Sequence, residues 1–335
     1  MRRIIYLFKR IFGMNFKSFF KTIGKISRET KKSKIILFFD CIWCGIRHQA
    51  GYIDYDFYNM YNLTEKERKT IMTRGRNNHY VAYLNPKEYW HFFDNKNEFN
   101  EKFSDYLNRD WMYLDNNYDL FCKFIKKHKT IIVKPNNLSC GKGVEKIDTS
   151  LFDSKKLYKR LIVNETYLIE EVATQNRKIA SLHPASINTI RIVTLISDYG
   201  VPQVISAVIR MGTGNKVVDN FNNGGVCAVV DIKTGKIVSD GINSSGKIFK
   251  KHPDSKITFK GFQIPMWDKI CNTVLEAAMV VKDMRLIGWD ICLGEDKPSL
   301  IEANQFPAHD LYQPLFGKDD KIGMVPVFEK AIKKK

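Results

Sequence analysis

The chain has 335 residues, 44% hydrophobic and 13% aromatic, which is apolar material for two or three packed layers and excludes a disordered or fibrous protein. Its formal net charge is +18, and the excess is concentrated at one end: from Met1 to Lys34, eleven Lys or Arg face a single acidic residue, Glu29. Nowhere does that segment run apolar for the ~18 residues a membrane span needs, so it does not cross a bilayer.

Residues 1–34 alternate basic residues with Ile, Tyr, Leu and Phe at roughly helical spacing, the pattern of a basic amphipathic arm. Lys9, Arg10, Lys17 and Lys21 interrupt its apolar stretches and no small-residue cleavage site follows, which excludes a signal peptide. Two readings stand side by side: a helix lying on an anionic cytoplasmic leaflet, and a helix packed on the protein's own body with a solvated basic face. Nucleic acid is not an expected partner, because no recognition helix, finger or aromatic RNA-binding motif accompanies the charge. The seven cysteines are odd in number and mostly sit in apolar runs, which fits buried thiols in a reducing, cytoplasmic compartment. Cys41 and Cys44 lack a second pair at zinc-ligand spacing, so a metal or redox site is not expected there.

Residues 35–61 are rich in aromatics and read as helical packing. Thr64 followed by Glu67 is a capping box that starts a helix reaching about Thr73. Asn85-Pro86 opens another over Lys87–Phe93, with Pro in its favoured first turn; Asp94-Asn95-Lys96 ends it, and Glu98–Leu107 is the next. From Thr130 the character changes. Thr130–Val133 is β-branched and runs into Lys134-Pro135, a polar loop with Gly141, Lys142 and Gly143, and a second strand from Val144 to Ile147. Glycines there let backbone N–H groups turn toward an anion, although the loop lacks the Walker A spacing and many β-hairpins carry such a turn.

Leu161–Glu171 reads as a strand ending in two carboxylates, Glu170 and Glu171, which suit either a ligand's hydroxyls or a solvated strand end. The strand after His183 places Asn188, Ile190 and Ile192 on one face and Thr189, Arg191 and Val193 on the other. An Arg inside so apolar a strand needs an anionic partner, so Arg191 is expected to bind a phosphate or carboxylate, with Arg210 a parallel case. Asp219 and Asn220 lead to Gly224 and Gly225, where backbone is expected to approach a ligand closely, and a strand follows over Val226–Ile232. Pro265 starts an amphipathic helix with Trp267, Ile270, Val274, Ala277 and Val281 on one face. That helix leads to Leu286–Leu293 and Pro298–Asn304, two runs joined by the polar turn Gly294-Glu295-Asp296, which read as a hairpin. The hairpin brings Asp290 opposite Glu302, and Asn304 shares the face of Glu302. Two carboxylates and an amide oxygen amid apolar neighbours form an oxygen-only set that suits Mg²⁺, and read equally as polar strand-end residues. His309, Asp310 and Tyr312 just beyond are either substrate-facing or polar loop residues.

Lys134-Pro135 with its Gly loop, then Glu170-Glu171, then Asp290 and Glu302-x-Asn304 resemble in order the ATP-grasp superfamily. The stretch from His183 to Arg191, the Asp219-Asn220 to Gly224-Gly225 segment and His252-Pro253-Asp254 resemble its sugar-transfer-associated family, over roughly residues 90–310. The resemblance implies an α+β, ATP-grasp fold, with nucleotide held between two α+β subdomains behind a mainly helical N-terminal region. With the basic arm read at 1–34 and the mainly helical region at 35–128, it gives 129–180 for a small subdomain with the phosphate loop and 181–335 for a large subdomain with the metal site. Nucleotide binding then falls to Lys96, Lys134, Gly141, Lys142, Gly143, Glu170, Glu171, Val172 and His183. The metal ligands are Asp290, Glu302 and Asn304. One departure stands out: D-alanine-D-alanine ligase has an Arg two residues before its metal-binding Asp, where this chain has Gly288, so Arg191 and Arg210 are the expected catalytic charges. The implied activity is an ATP- and Mg²⁺-dependent carboxylate-amine ligase in cell-surface glycan synthesis, joining a carboxylate substrate such as an amino acid to an amine-bearing acceptor such as an amino sugar. The alternatives are a kinase of a sugar or lipid-linked glycan, and a non-catalytic ATP-binding scaffold. The implied location is cytoplasmic, at the inner face of the membrane if residues 1–34 bind there.

Overall fold

A computed structural model describes residues 15–114, 117–136, 143–164, 167–214, 224–313 and 320–332. Residues 1–14 of the arm, Cys140, Gly141 and Lys142 of the expected phosphate loop, and Asp219 and Asn220 lie outside the described residues. The chain divides into two compact units, Met1–Tyr83 with His309–Lys335, and Leu84–Ala308. Among the described residues no helix is long and apolar enough to cross a membrane.

The first unit is helical. Asn15 caps the helix Phe16–Thr30 by accepting from the Ser18 N–H, and Phe19, Ile23 and Ile26 are buried along one side. They join Leu37, Cys41 and Cys44 of the helix Lys34–His48, with Tyr55, in one core. The described part of the basic arm therefore packs on the protein's own body. Burial pushes the Cys41 and Cys44 thiols up to about 12, so both stay protonated. Asp40 accepts a fork from Arg68 at 2.7 and 2.8 Å and the Tyr55 hydroxyl at 2.6 Å. The expected capping box at Thr64 is present, but its helix, Glu65–Thr70, ends three residues early because Ile71 is extended. Gln313 holds the segment beyond: its Oε1 accepts the N–H groups of Met72 at 2.6 Å and Met324 at 2.7 Å. His309 bonds Asp54 at 2.9 Å and the Tyr312 hydroxyl donates to Asn77 at 2.6 Å. Both serve this unit's packing in place of the substrate-facing role open to them in the sequence.

The second unit contains two antiparallel sheets. Strands β1 (Trp111–Tyr113), β2 (Thr130–Lys134), β3 (Glu145–Asp148) and β4 (Leu168–Glu171) form one in the order β1-β4-β2-β3. Strands β5 (Thr189–Ile196), β6 (Pro202–Met211), β7 (Val226–Val229), β8 (Gly241–Asn243), β9 (Ile248–Phe249), β10 (Leu286–Leu293) and β11 (Pro298–Asn304) form the other, in the order β11-β10-β5-β6-β7-β8-β9. The expected Leu161–Glu171 strand is shorter. Asp153 accepts from the Lys156 N–H and starts the helix Ser154–Val163, whose Leu157 and Leu161 are buried, so only Leu168–Glu171 is extended. Near residue 90, a short 3-10 turn at Lys87–Tyr89 precedes the helix His91–Asp94. Asn95 does not end a helix so much as begin one: it accepts from Asn97 and Glu98 N–H groups and caps Lys96–Lys102. The strand expected to reach Ile232 stops at Val229.

One face of the larger sheet is apolar. Ile190, Ile192, Ala207, Ile209, Ile287, Trp289 and Ile291 pack there with Ile270, Val274 and Ala277 of the helix Trp267–Val280. Gly235, at φ +69°, closes the turn after β7 by donating to the Asp231 carbonyl, and a Cβ on it would fall onto the Trp267 side chain. Gly235→Ala is expected to destabilise the unit by about 2–4 kcal/mol, combining overpacking with left-handed strain. Thermal unfolding measures this, and an unchanged Tm would remove Gly235 from the packing argument.

Candidate active site

Alternation along β5, β6, β10 and β11 sends the polar side chains to the face opposite that core. Asp290 pairs with Glu302 on one side and Arg191 on the other, Gly288 pairs with Asn304, and Thr189 pairs with Arg210. Four strands thus bring Glu302, Asn304, Asp290, Arg191 and Arg210 to one side of the sheet. Arg191 grips Asp290 with two donors, Nε to Oδ1 and Nη2 to Oδ2, the latter at 2.7 Å. Arg210 reaches Asp290 Oδ2 at 3.0 Å and the Thr189 hydroxyl at 2.9 Å. The anionic partner that Arg191 requires is therefore inside the protein. The place of Gly288 fits this: a Cβ there would lie 3.5 Å from both Cδ and Nη1 of Arg191, so the neighbouring strand delivers its guanidinium beside that position.

The two carboxyls differ. Burial acts to raise Asp290, but the charges of Arg191 and Arg210 outweigh it and hold the group well below the usual carboxylate range. Glu302 is open to solvent along its strand, yet enough protein surrounds it that desolvation, together with the charge and hydrogen bond of Asp290, pushes it up to about 6. A carboxyl pair in this state is the charge arrangement that a hard divalent cation relieves, and the donors are all oxygen. Asp290, Glu302 and Asn304 thus fit Mg²⁺. Asn304 Oδ1 also accepts the Phe306 N–H at 3.3 Å, which orients it.

A second polar centre lies on the smaller sheet. Glu170 is buried and accepts from Lys134 Nζ at 2.5 Å, Arg109 Nη2 at 2.9 Å and Asn100 Nδ2 at 2.9 Å. Burial would raise its carboxyl, but the charges of Arg109 and Lys134 hold it well below the usual range. Arg109 also donates to the Ser299 hydroxyl at 3.1 Å and the Leu300 carbonyl, so one buried guanidinium ties β4 to β11. Sequence reasoning missed Arg109 and Asn100. The only signal for Arg109 is a charged residue one position before Asp110 and a short aromatic strand, which is indistinguishable from a solvated loop.

Lys96 connects the two centres. Its Nζ donates to the carbonyls of Pro135 at 3.0 Å and Asn136 at 3.2 Å, at the exit of β2. Burial lowers its pKa, and it feels the charges of Glu302, Lys134 and Glu170 together. Lys96 thus feels Lys134 and Glu170 of one centre and Glu302 of the other.

Two side chains expected at the nucleotide, those of Glu171 and His183, are engaged with other partners. Glu171 alternates away from Glu170: its Oε2 accepts the Asp110 N–H at 3.0 Å, and its Oε1 lies 3.9 Å from His128 Nδ1. His183 is buried with both ring nitrogens engaged, Nδ1 with Ser186 at 2.8 Å and Nε2 with the Gly214 carbonyl at 2.8 Å. Beside it, His252 donates to the Gly212 carbonyl at 2.9 Å and Asp254 accepts the Gly214 N–H at 2.7 Å. These residues hold the strand exit at 212–214, and a Cβ on Gly212 would come within 2.8 Å of His183 Nδ1. Val172 follows the end of β4, half-buried. Gly143 has a left-handed backbone, at φ +71°. Gly224 is also left-handed, at φ +92°, and its carbonyl accepts the Thr213 hydroxyl at 3.0 Å.

Residues 75–314 match the family model described as sugar-transfer associated ATP-grasp. No match is found among curated proteins. Among solved structures, the ATP-grasp ligase PsnB complexed with a minimal precursor is similar at 13% identity and a TM-score of 0.44, over 74% of this chain and 62% of that one. An N5-carboxyaminoimidazole ribonucleotide synthetase in its ADP complex is similar at 8% identity and 0.45, over 72% and 51%. D-alanine-D-alanine ligase from Bacillus anthracis is similar at 13% identity and 0.38, over 72% and 62%. The chain thus spans between half and two thirds of the length of these three structures.

Proposed function

The chain belongs to the sugar-transfer associated ATP-grasp family, and from that premise we propose an ATP- and Mg²⁺-dependent ligase that joins a carboxylate to an amine through an acylphosphate. The carboxylate oxygen takes the terminal phosphoryl group of ATP and releases ADP. The amine then attacks the acyl carbon, the C–N bond forms, a proton is lost and inorganic phosphate leaves. The family's association with sugar transfer points to a cell-surface glycan acceptor, such as an amino sugar receiving an amino acid. The buried thiols suit a reducing, cytoplasmic site of action.

The observation that carries this reading is that Arg109 joins Glu170, the partner of Lys134, to the Leu300 carbonyl two residues before Glu302, on a sheet that holds Asp290 between two arginines. There Lys134 and Lys96 meet nucleotide phosphates, a role that the family resemblance also gives to Gly141, Lys142 and Gly143. The backbone at Glu171 and Val172 borders the adenine. Glu170 keeps the Lys134 ammonium in place, since a flexible lysine without its partner would lose its position. Arg191 and Arg210 set positive charge beside the point of transfer, already oriented by Asp290 and Thr189, so little reorganisation opposes the reaction. Held by Asp290, Glu302 and Asn304, Mg²⁺ would neutralise charge on the phosphoryl oxygens.

Incubation of the protein with MgATP, amino acids and amino sugars tests the reading. The expected products are ADP, inorganic phosphate and an amide in equal amounts. Phosphate retained on the acceptor, with no amide, would replace the ligase by a kinase. ATP binding without turnover on any acceptor would leave a scaffold.

A further inference from the structure

We propose that the outward face of the helix Lys34–His48 docks on an anionic lipid surface. The helix is apolar on two sides. Leu37, Cys41, Cys44 and His48 face the core of the helical unit. Ile35, Ile36, Phe39, Ile42, Trp43 and Ile46 recur at helical spacing on another side, and between 41% and 69% of each is exposed. Single exposed apolar residues are ordinary, whereas a continuous stripe of six marks an interaction site.

The stripe extends onto the preceding helix. Phe20, 57% exposed, stacks on Phe38 with ring centres 6.1 Å apart, and Phe38 meets Phe39 edge-on at 5.3 Å. Phe16 lies one turn before Phe20 and is 51% exposed. The one acid of the second helix, Asp40, is held by Arg68 and Tyr55, so it does not repel an anionic surface. Lys17, Lys21, Arg28, Lys31 and Lys34 are all exposed between Phe16 and Ile35, against the single acid Glu29.

That charge selects the occupant. A second copy docking about a two-fold axis would bring two such basic surfaces together, whereas an anionic headgroup layer attracts them while Trp43 and its neighbours enter the acyl boundary. The helix has 15 residues and rises about 22 Å, short of the roughly 30 Å hydrocarbon core. With its other side committed to the protein core, it lies in the plane of the interface.

Co-sedimentation of the full chain with vesicles tests this, using 30% phosphatidylglycerol in phosphatidylcholine against phosphatidylcholine alone. Binding is expected only to the anionic vesicles, weakening at least tenfold between 0.1 and 0.5 M NaCl. The double variant Phe39→Ser/Trp43→Ser should lose it with Tm unchanged. Lys17→Glu/Lys21→Glu, which leaves the apolar stripe intact, should weaken it as well. No binding by the unaltered chain, or equal binding by Phe39→Ser/Trp43→Ser, would overturn the proposal. So would a dimer in light scattering that dissociates in that variant while neither form binds vesicles, which would assign the face to a second copy.

Discussion

Glu302→Gln is expected to lower ATP turnover by roughly 10²–10³-fold, the size typical of removing one preorganised charge-stabilising group. The substitution offers an amide N–H donor to the ionised Asp290 and removes an anion, so the like-charge repulsion within the pair is lost. Tm should therefore hold or rise slightly, which separates a catalytic loss from an unfolding one. The residual activity should need much more Mg²⁺, because the site has lost a charged oxygen donor. Initial rates across a Mg²⁺ titration provide the check. Wild-type turnover at limiting Mg²⁺ would remove Glu302 from the metal site, and with it the reading of the hairpin as a metal-binding element.

Glu170→Leu should have the largest effect on stability. It leaves Arg109, buried to 2% side-chain exposure, and Lys134, at 13%, without their common counter-charge. Breaking a buried pair in this way costs about 3–5 kcal/mol, because an unpaired charge remains in the interior. For a unit of this size, that corresponds to a fall in Tm on the order of 10 °C. The pH dependence has a definite sign. The Glu170 carboxyl is depressed in the folded protein by Arg109 and Lys134, so its contribution is complete above the ordinary glutamate value near 4.3 and is lost as pH falls toward the folded value. The gap between wild type and Glu170→Leu should be constant from pH 6 to 8 and narrow below about pH 4.5. Equal Tm values at pH 7 would show that the fold does not use the Glu170 hub.

The hairpin at 286–304 is legible in its own residues. Its two apolar runs, its polar turn and its three oxygen-bearing residues are local features, and strand alternation alone sends Glu302 and Asn304 to one face. The lengths of the flanking elements are less legible. Ser154–Val163 and Leu168–Glu171 merge in the sequence because Leu161, Ile162 and Val163 suit a strand as well as a helix, and the deciding cap, Asp153, stands eight residues upstream of Leu161. The same ambiguity hides Asn95, whose side chain caps the next helix where a polar triplet suggests an end.

By itself the sequence marked the groups proposed here for the chemistry, namely the carboxylates of the hairpin, the arginines buried in apolar strands and the lysine closing β2, together with a basic N-terminal arm. Those are properties of composition and period, set within a few residues of each position. Tertiary structure alone decided whom they meet. Arg191 finds Asp290 ninety-nine positions away, and Arg109 joins Glu170 to Leu300, because sheet order places distant strands side by side. A buried charge must be matched wherever the fold brings it, so its partner is chosen by the packing of the whole unit and leaves no trace in its own neighbourhood of the chain.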